Sequence, residues 1–326
     1  MSPGHGDSLP YGHPLNAGSA GPRGSGIGTQ LLKEADVILV LGSRLGFNTT
    51  FYSYDNLNED ASIIQCEIDQ NSIGRYFPVE VGIHADAKTV ADQLFNLLGE
   101  HKAKKEVEVW ADQFKDNKKN YLKQRDAEAD MSSVPIMPSG LFKELRNVLP
   151  NDSVVTLDAG TMCLQLTDAL YYHQPKSLFS PLDFGLVGFS YPAGLGIKLA
   201  APERTVVSFH GDGGASMILP ELSTAVENNI NTVCVVMNNG TWGAEAAYQK
   251  DFFEGRYIGA HITTPEFDKA AEIYGCKGIK VEKATEIGDA IQAGIDAECP
   301  TVIDVQCSPD ALYSFRQDSF KHKIKK

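Results

Sequence analysis

Short apolar runs alternate with amphipathic stretches along most of the chain, and this pattern predicts strands that alternate with helices. The first run, Val37–Leu41 (VILVL), contains no polar residue and predicts a strand that is buried on both faces. Further strands are predicted at Ser62–Ile68 and Val79–Ile83, and Ala87–Leu98 places apolar residues at the spacing of one helix face. Residues 1–100 are therefore predicted to form α/β structure.

Two segments depart from this alternation. Residues 1–28 are dense in Gly and Pro and show no periodicity, so they are not expected to pack by themselves. Residues 101–133 carry nearly balanced Lys and Asp/Glu around sparse apolar positions, which is typical of a solvated helix. We therefore predict a charged helical linker over residues 101–137.

The alternation resumes after this linker and continues towards the end of the chain. The predicted order is a helix from Pro138, a strand at Val154–Leu157, a helix at Pro192–Leu199, a strand at Thr205–Phe209, a helix at Pro220–Asn228, a strand at Thr232–Met237, two more helices and a strand at Thr301–Val305. These strands are nearly continuous apolar runs, which is typical of parallel sheets. The sequence predicts an α/β protein with two domains of parallel sheet and helices on both faces, the second spanning residues 138–326.

Composition and charge narrow the possible partners. A length of 326 residues suits two α/β domains, and the formal net charge of -13 argues against nucleic acid as a partner, because clustered Lys and Arg hold phosphate backbones. An anionic ligand would then need local help, such as a metal ion. The six cysteines lack C-x-x-C spacing, and no apolar run approaches the roughly 18 residues of a membrane span. We expect a cytoplasmic protein with reduced thiols and no membrane partner.

Candidate chemistry lies after two neighbouring predicted strands. Asp212 stands in the glycine turn HGDGG after the first strand, and Asn239 follows the second. The segment between them holds one helix and one strand, as a crossover between parallel neighbours requires, so both side chains are expected at the same carboxyl edge of the sheet. A carboxylate oxygen, an amide oxygen and a nearby backbone carbonyl are hard ligands that suit Mg²⁺.

An anion could meet this ion together with backbone amides. The N–H groups of Gly213–Ser216 and the N-terminus of the helix from Pro220 can face a phosphate, and the two glycines permit close approach. A dinucleotide site is one alternative, although Ser216 stands where a third small residue is expected and Asn238-Asn239 stands where a ribose-binding acid is expected. A pair of purely structural turns is the other alternative.

The residues after the turn carry a resemblance to a known family. Gly211–Gly214, followed by Glu221–Ala225 and then Asn238–Gly240, resembles the cofactor motif of thiamine diphosphate enzymes of the acetolactate synthase type. The resemblance implies that Asp212, Asn239 and the carbonyl of Thr241 bind Mg²⁺. The other cofactor-binding positions that it implies are Gly211, Gly213, Gly214, Ala215, Ser216, Trp242, Gly243, Val187 and Gly160.

Two upstream segments belong to this resemblance. Gly185–Gly188 is similar to the family's segment that props the bent cofactor, which implies that Val187 lies between the two cofactor rings. Plain packing in the core is the alternative for Val187. Asp158–Thr161, which contains Gly160, is similar to a second loop on the diphosphate side.

A narrower resemblance concerns the substrate. Trp242–Glu245, Gln249–Phe252 with Arg256, and Phe315–Asp318 are most similar to the sulfoacetaldehyde acetyltransferase family. That family converts sulfoacetaldehyde and phosphate into acetyl phosphate and sulfite. An acetolactate synthase or another enzyme that decarboxylates a 2-oxoacid is the alternative. Lys250 and Arg256 are candidates for holding an anionic acceptor, and the favoured alternative is that both are surface charges.

The resemblance is incomplete. Residues 1–100 resemble part of a Rossmann-like middle domain, and residues 138–326 resemble the diphosphate-binding domain, but nothing matches the pyrimidine-binding domain. The glutamate that activates the cofactor therefore has no assigned position, and the catalytic residues are unknown. Three alternatives are open: the chain is a fragment of an enzyme, or it is one half of a split enzyme that a pyrimidine-binding domain on another chain completes, or it is a non-catalytic binding module. The complete enzyme is expected to be a homo-oligomer. His5 and His13 are expected to be loop residues, and His210 is a minor candidate for a base.

Overall fold

The computed structural model describes residues 1–21, 24–99 and 101–312. The chain forms two compact units, which are residues Met1–Pro3 with His13–Gln124, and residues Gly4–Gly12 with the chain from Arg125 onwards. The predicted domain boundaries at residues 100 and 137 stay a prediction. The segment Phe315–Asp318 lies outside the described residues.

The first unit contains a three-stranded parallel sheet in the order β1-β2-β3. Its strands are β1 (Val37–Leu41), β2 (Ser62–Glu67) and β3 (Val81–His84). The helices in this part of the chain are α1 (Gly26–Glu34), α2 (Phe47–Thr50), α3 (Ala87–Leu98) and α4 (Lys105–Ala127). The helix α4 covers most of the predicted linker and buries Phe114, while most of its other side chains are exposed.

Strand β1 is buried on one face only. Val37, Leu39 and Leu41 are 55%, 47% and 38% exposed, whereas Ile38 and Val40 are buried in the core of this unit. The prediction of burial on both faces is therefore wrong. An apolar run shows only that a strand can be covered, and β1 is an edge strand whose second face has no covering helix among the described residues of this unit.

The second unit contains a six-stranded parallel sheet in the order β5-β4-β6-β7-β9-β8. Its strands are β4 (Val154–Leu157), β5 (Leu178–Phe179), β6 (Val206–Gly211), β7 (Val233–Asn238), β8 (Lys277–Val281) and β9 (Thr301–Gln306). Its helices are α5 (Pro138–Val148), α6 (Thr161–Ala169), α7 (Ser190–Ala200), α8 (Asp212–Ile218), α9 (Glu221–Glu227), α10 (Gly243–Phe252), α11 (Phe267–Ile273) and α12 (Ile287–Ile295).

Helices cover both faces of this sheet. Side chains of α5, α6 and α12 pack with one face in a core that includes Leu145, Leu166 and Ile291. Side chains of α7, α8, α9 and α11 pack with the other face in a core that includes Tyr191 and Phe267. The predicted fold class, parallel sheets with helices on both faces, is confirmed.

The segment Gly4–Gly12 packs within the second unit against residues far along the chain, because it has no core of its own. The carboxylate of Asp7 accepts a hydrogen bond from the backbone N–H of Ser177 at 2.9 Å, directly before β5. The ring of Tyr11 stacks on Tyr171 with centroids 3.8 Å apart. This segment therefore depends on partners far along the sequence.

The strand order creates a switch point beside β4. The chain leaves β4 through α6 to reach β5 on one side, and it returns through α7 to β6 on the other side of β4. The connections after β4 and β6 therefore run in opposite directions, which opens a crevice at the carboxyl ends of these strands. None of the described helices is both long and apolar enough to cross a membrane.

Candidate functional site

Three loops meet at the carboxyl edge of the sheet beside this switch point. They are Asp158–Gly160 after β4, the glycine turn at the end of β6, and Asn239–Thr241 after β7. Strands β6 and β7 are parallel neighbours with Gly211 opposite Met237, so the predicted proximity of Asp212 and Asn239 along this edge is confirmed. Helix α8 begins at Asp212, whereas the sequence analysis predicted that the first helix after strand β6 would begin at Pro220.

Asp212 links the loop after β6 to the loop after β7. The side chain is buried, its Oδ1 accepts a hydrogen bond from Gly213 N at 2.8 Å, and its Oδ2 accepts one from Thr241 N at 3.1 Å. Burial raises the pKa of the Asp212 carboxyl, and the backbone hydrogen bonds oppose that rise. The carboxylate thus has a fixed place between the two loops.

Asn239 supplies a buried acceptor without a partner. Its side chain is 9% exposed, and among the described residues Oδ1 has no hydrogen-bond donor. The neighbouring Thr241 is also buried, and its hydroxyl donates to the carbonyl of Asn239 at 3.2 Å. An unpaired buried amide oxygen is costly unless something binds it. A hard cation fits this donor set of carboxylate, amide and carbonyl oxygens.

The candidate metal-binding oxygens come from different kinds of group. Within the described part of the chain, no group of three or more His, Cys, Asp or Glu side chains comes together as a metal site. A cation at this edge would therefore depend on one carboxylate and on neutral oxygens, which leaves positions for phosphate and water.

The glycines of the turn are required by close contacts. A Cβ on Gly213 would come within 2.7 Å of the ring of Trp242, and a Cβ on Gly214 would overlap with Oδ2 of Asp158. A Cβ on Gly211 or Gly160 would meet no atom of the described residues within 4 Å, so among these residues the two backbones face open space. The turn is packed from one side and accessible from the other.

The remaining predicted positions of the turn are divided between core and surface. Ala215 is buried in the core with α7, so only its backbone is available to a ligand. Ser216 is exposed, and its hydroxyl donates to the carbonyl of Asp212 at 2.9 Å. A Cβ on Gly243 would come within 3.1 Å of the Thr161 hydroxyl, which places the start of α10 beside the start of α6.

Asp158 connects the end of β4 to two other segments. Its buried carboxylate accepts hydrogen bonds from Gly188 N at 3.0 Å and from Phe189 N at 2.8 Å. His210 lies 3.1 Å away through Nδ1, and its Nε2 accepts a hydrogen bond from Tyr191 N at 2.9 Å. This acceptor role leaves the proton on Nδ1, which lies close to the carboxylate but makes no hydrogen bond among the described residues. His210 is fully buried and supports the fold at this point.

Val187 lies directly before the amides that Asp158 holds. It is half-buried and stands between Gly185 and Gly188, whose φ angles are 70° and 85°. It belongs to neither buried core of the second unit. The alternative of plain core packing is therefore not supported. The neighbouring Leu186 is exposed.

The charged and histidine candidates lie at the surface. Lys250 and Arg256 are exposed, and the Nε of Arg256 donates to the carbonyl of Phe253 at 3.1 Å. His5 and His13 are exposed loop residues. From the sequence, Asp158 was placed in a loop on the diphosphate side, but it was not predicted that its carboxylate connects two other segments; the position of an acidic residue directly after a buried strand was a signal for this role.

The fold and the site define an α/β protein that offers a carboxylate, an unpaired amide oxygen and a glycine turn at its switch point, a set suited to a metal ion and an anion. Residues 158–305 match the C-terminal TPP binding domain of thiamine pyrophosphate enzymes, and residues 1–94 match their central domain. The chain therefore belongs to the thiamine pyrophosphate enzyme family. The predicted membership is confirmed, and the dinucleotide alternative is set aside.

The chain is similar to enzymes of two kinds. A sulfoacetaldehyde acetyltransferase of Castellaniella defragrans is 30% identical over 98% of this chain and 58% of its own length, and one of Alcaligenes xylosoxydans xylosoxydans is 30% identical over 98% and 57%. A probable acetolactate synthase large subunit of Methanococcus aeolicus is 28% identical over 93% of this chain and 52% of its own length. The chain thus spans somewhat more than half the length of these relatives.

Proposed function

We propose that this chain binds thiamine diphosphate through Mg²⁺, with Asp212, Asn239 and the carbonyl of Thr241 as the protein ligands of the ion. The amide oxygen of Asn239, which has no hydrogen-bond partner in the described part of the chain, is the observation that carries this proposal. It is buried beside the loop that Asp212 already holds, where a cation would satisfy both oxygens.

The surrounding residues would bind and shape the cofactor. The open backbones of Gly211 and Gly160 leave room for the diphosphate, and the amides at the start of α8 can face it. Asp158 would hold the loop that presents Val187 to the two rings, and Trp242 would keep the turn in place through Gly213. When bound, thiamine diphosphate supplies a carbanion that adds to a carbonyl group and an electron sink for the leaving group.

Calorimetric titration of thiamine diphosphate into the chain tests this proposal. We expect binding with Mg²⁺ and none with EDTA. In Asp212→Ala, binding should weaken by at least ~2 kcal/mol, because the dication loses its charged ligand. Asp289→Ala, at an exposed position of α12, is the matched control and should bind normally. Binding that EDTA does not affect, or that Asp212→Ala does not weaken, would rule the proposal out.

The reaction that we propose is that of a sulfoacetaldehyde acetyltransferase, supported by relatives of that name along 98% of this chain. Sulfoacetaldehyde and phosphate would yield acetyl phosphate and sulfite. The likeness to an acetolactate synthase subunit supports 2-oxoacid chemistry as the second candidate. The complete enzyme would be a homo-oligomer that includes a pyrimidine-binding domain.

An assay with both substrates separates these candidates. With the pyrimidine-binding domain supplied, we expect sulfite release from sulfoacetaldehyde that depends on phosphate. Consumption of pyruvate to acetolactate, with sulfoacetaldehyde inert, would replace the first candidate by the second.

A further inference from the structure

Residues 253–262, which we call the strap, run from the end of α10 back to the loop that follows β7. The strap is joined to that loop by two backbone hydrogen bonds. Trp242 N donates to the carbonyl of Ala260 at 2.7 Å, and Ile262 N donates to the carbonyl of Gly240 at 3.0 Å. The strap therefore lies along both residues that flank Thr241.

Thr241 is held between the strap and Asp212. It pairs with His261 of the strap in a short antiparallel bridge, and its own N–H donates to Asp212 Oδ2 at 3.1 Å. Its carbonyl is one of the three candidate ligands of the ion. Movement of the strap would therefore move a candidate ligand and the residue that orients Asp212.

Gln249 on α10 ties the strap to the helix with one side chain. Its Oε1 accepts a hydrogen bond from Ile258 N at 2.6 Å, and its Nε2 donates to the carbonyl of Ile258 at 3.0 Å. Both main-chain groups of Ile258 are thus satisfied by a single carboxamide. The backbone carbonyl of Gln249 adds a third tie, because it accepts a hydrogen bond from Gly255 N at 3.2 Å.

Burial of Ile258 does not explain this arrangement. Its side chain is 83% exposed, and it stands between Gly255 and Gly259, whose φ angles are 70° and 61°. These two glycines turn the chain at places where other residues are strained. The polar contact with Gln249 therefore holds Ile258, while the rings of Tyr257 and His261, 4.9 Å apart, add a contact within the strap.

We propose that Gln249 is a positioning residue for the metal site, which acts through the strap on Thr241. This inference rests on the proposed function, because the site that it positions is the proposed Mg²⁺ site. Gln249 itself contributes no ligand. It keeps the strap against the loop after β7, so that the carbonyl of Thr241 and the carboxylate of Asp212 are in place before the ion binds.

Two measurements on the full chain test this inference. In Gln249→Ala, the backbone amides of Trp242 and Ile262 should exchange with deuterium about threefold to tenfold faster without ligand, as expected when one or two hydrogen bonds are lost. With saturating thiamine diphosphate, the apparent Kd for Mg²⁺ should rise by a similar factor in calorimetry. The thermal midpoint of the ligand-free chain should fall by only about 2–4 °C, a small loss of stability that leaves the fold intact in both measurements.

Two further variants complete the experiment. Gln292→Ala removes an exposed glutamine of α12 that donates to Asp296, and it should change neither measurement. Gln249→Glu keeps the size of the side chain and the acceptor for Ile258 N but loses the donor, so its effects should be smaller in amide exchange than those of Gln249→Ala. If Gln249→Ala does not fold, Gln249→Glu is measured in its place.

The outcomes separate the two proposals. If the unaltered chain binds Mg²⁺ and both Gln249 variants bind it equally well, the inference about Gln249 is wrong and the proposed function stands. If the unaltered chain binds neither Mg²⁺ nor thiamine diphosphate, the proposed function is wrong, and the inference about Gln249 is then wrong as well.

Discussion

Asp158 is the residue on which the candidate site is assembled. Its carboxylate holds the amides of Gly188 and Phe189, faces His210, and lies so close to Gly214 that no side chain fits there. Charge-assisted hydrogen bonds of this kind are stronger than neutral ones. One side chain thus fixes the position of three segments at the switch point.

We predict that Gly214→Ala destabilises the chain by about 2 kcal/mol or more, because the added methyl must displace the Asp158 carboxylate from its hydrogen bonds. Urea unfolding measures this loss. Gly196→Ala in α7 is the control, since a Cβ there meets no atom within 4 Å in the part of the chain that the structure describes, and alanine favours a helix. Equal stability of Gly214→Ala and the unaltered chain would contradict the assigned contact.

A double-mutant cycle makes this prediction specific to Asp158. In an Asp158→Ala background the added methyl of Gly214→Ala has nothing to displace, so its cost should fall well below the cost in the unaltered chain. Strict additivity of the two substitutions would show that the two sites do not interact.

At the residue scale, the sequence predicts the candidate metal ligands better than it predicts the residues that hold the loops of the site in place. Asp212 and Asn239 stand out because a charge within a glycine turn and an amide after the next strand are unusual. Asp158 and His210 meet only because β4 lies beside β6, and strand order cannot be obtained from local patterns. The burial of Asn239 Oδ1 without a donor among the described residues likewise arises only in the folded chain.

At the scale of elements, the chain shows which signals decide a helix or strand. Helix α3 and strand β4 have the predicted bounds. Apolar spacing and the capping residue Asp86 mark α3, and an apolar run marks β4. Helix α8 escapes prediction because its first turn is Asp-Gly-Gly, a poor intrinsic helix sequence. Burial by α7 and α9 in the same core outweighs that propensity.

Strand β9 carries a buried carboxyl that ties three elements together. Asp304 accepts hydrogen bonds from Asn238 Nδ2 at 3.1 Å and from the backbone of Phe267 at 3.1 Å. It therefore connects β9 to the end of β7, directly before Asn239, and to the start of α11. Burial raises the pKa of Asp304 to about 6, although these hydrogen bonds oppose the rise.

This pKa predicts how stability depends on pH. A carboxyl that binds its proton more tightly in the folded state stabilises the fold fully below its unfolded pKa of about 4, and this contribution is lost as the pH rises through about 6. We expect Asp304→Asn, which does not titrate, to make that fall smaller in urea unfolding curves measured at successive pH values, while Asp168, whose pKa burial also raises to about 6, continues to contribute. Asp112→Asn on the exposed face of α4 should retain the full fall. An equally steep fall in Asp304→Asn would contradict the prediction.

At the scale of the whole molecule, the chain exposes apolar surface in each unit. Val37, Leu39 and Leu41 are exposed on β1, and Phe184 and Leu186 are exposed in the loop that contains Val187. Exposed apolar patches in a folded protein commonly mark contacts with other chains. The sequence predicts that these segments are apolar. For β1, however, the prediction that both faces of the strand are buried was wrong.

We predict that these 326 residues, expressed by themselves, have no appreciable carboligase, decarboxylase or acetyltransferase activity and tend to self-associate. The reason is that a carboxylate must activate the cofactor's aminopyrimidine and a second domain must exclude water. Mixing with a separately expressed pyrimidine-binding domain should restore turnover. A monodisperse monomer that by itself exchanges the thiazolium C2 proton rapidly, followed by NMR in deuterated buffer, would show that this prediction is wrong.

The location of the metal ion tests the central claim most directly. Diffraction from crystals of the chain grown with thiamine diphosphate and Mn²⁺ would locate the ion by its anomalous scattering. We predict one peak at about 2 Å from the Asp212 carboxylate, from Asn239 Oδ1 and from the carbonyl oxygen of Thr241. A peak elsewhere in the chain, or a bound cofactor whose diphosphate lies away from the turn Gly211–Gly214, would contradict the proposed site.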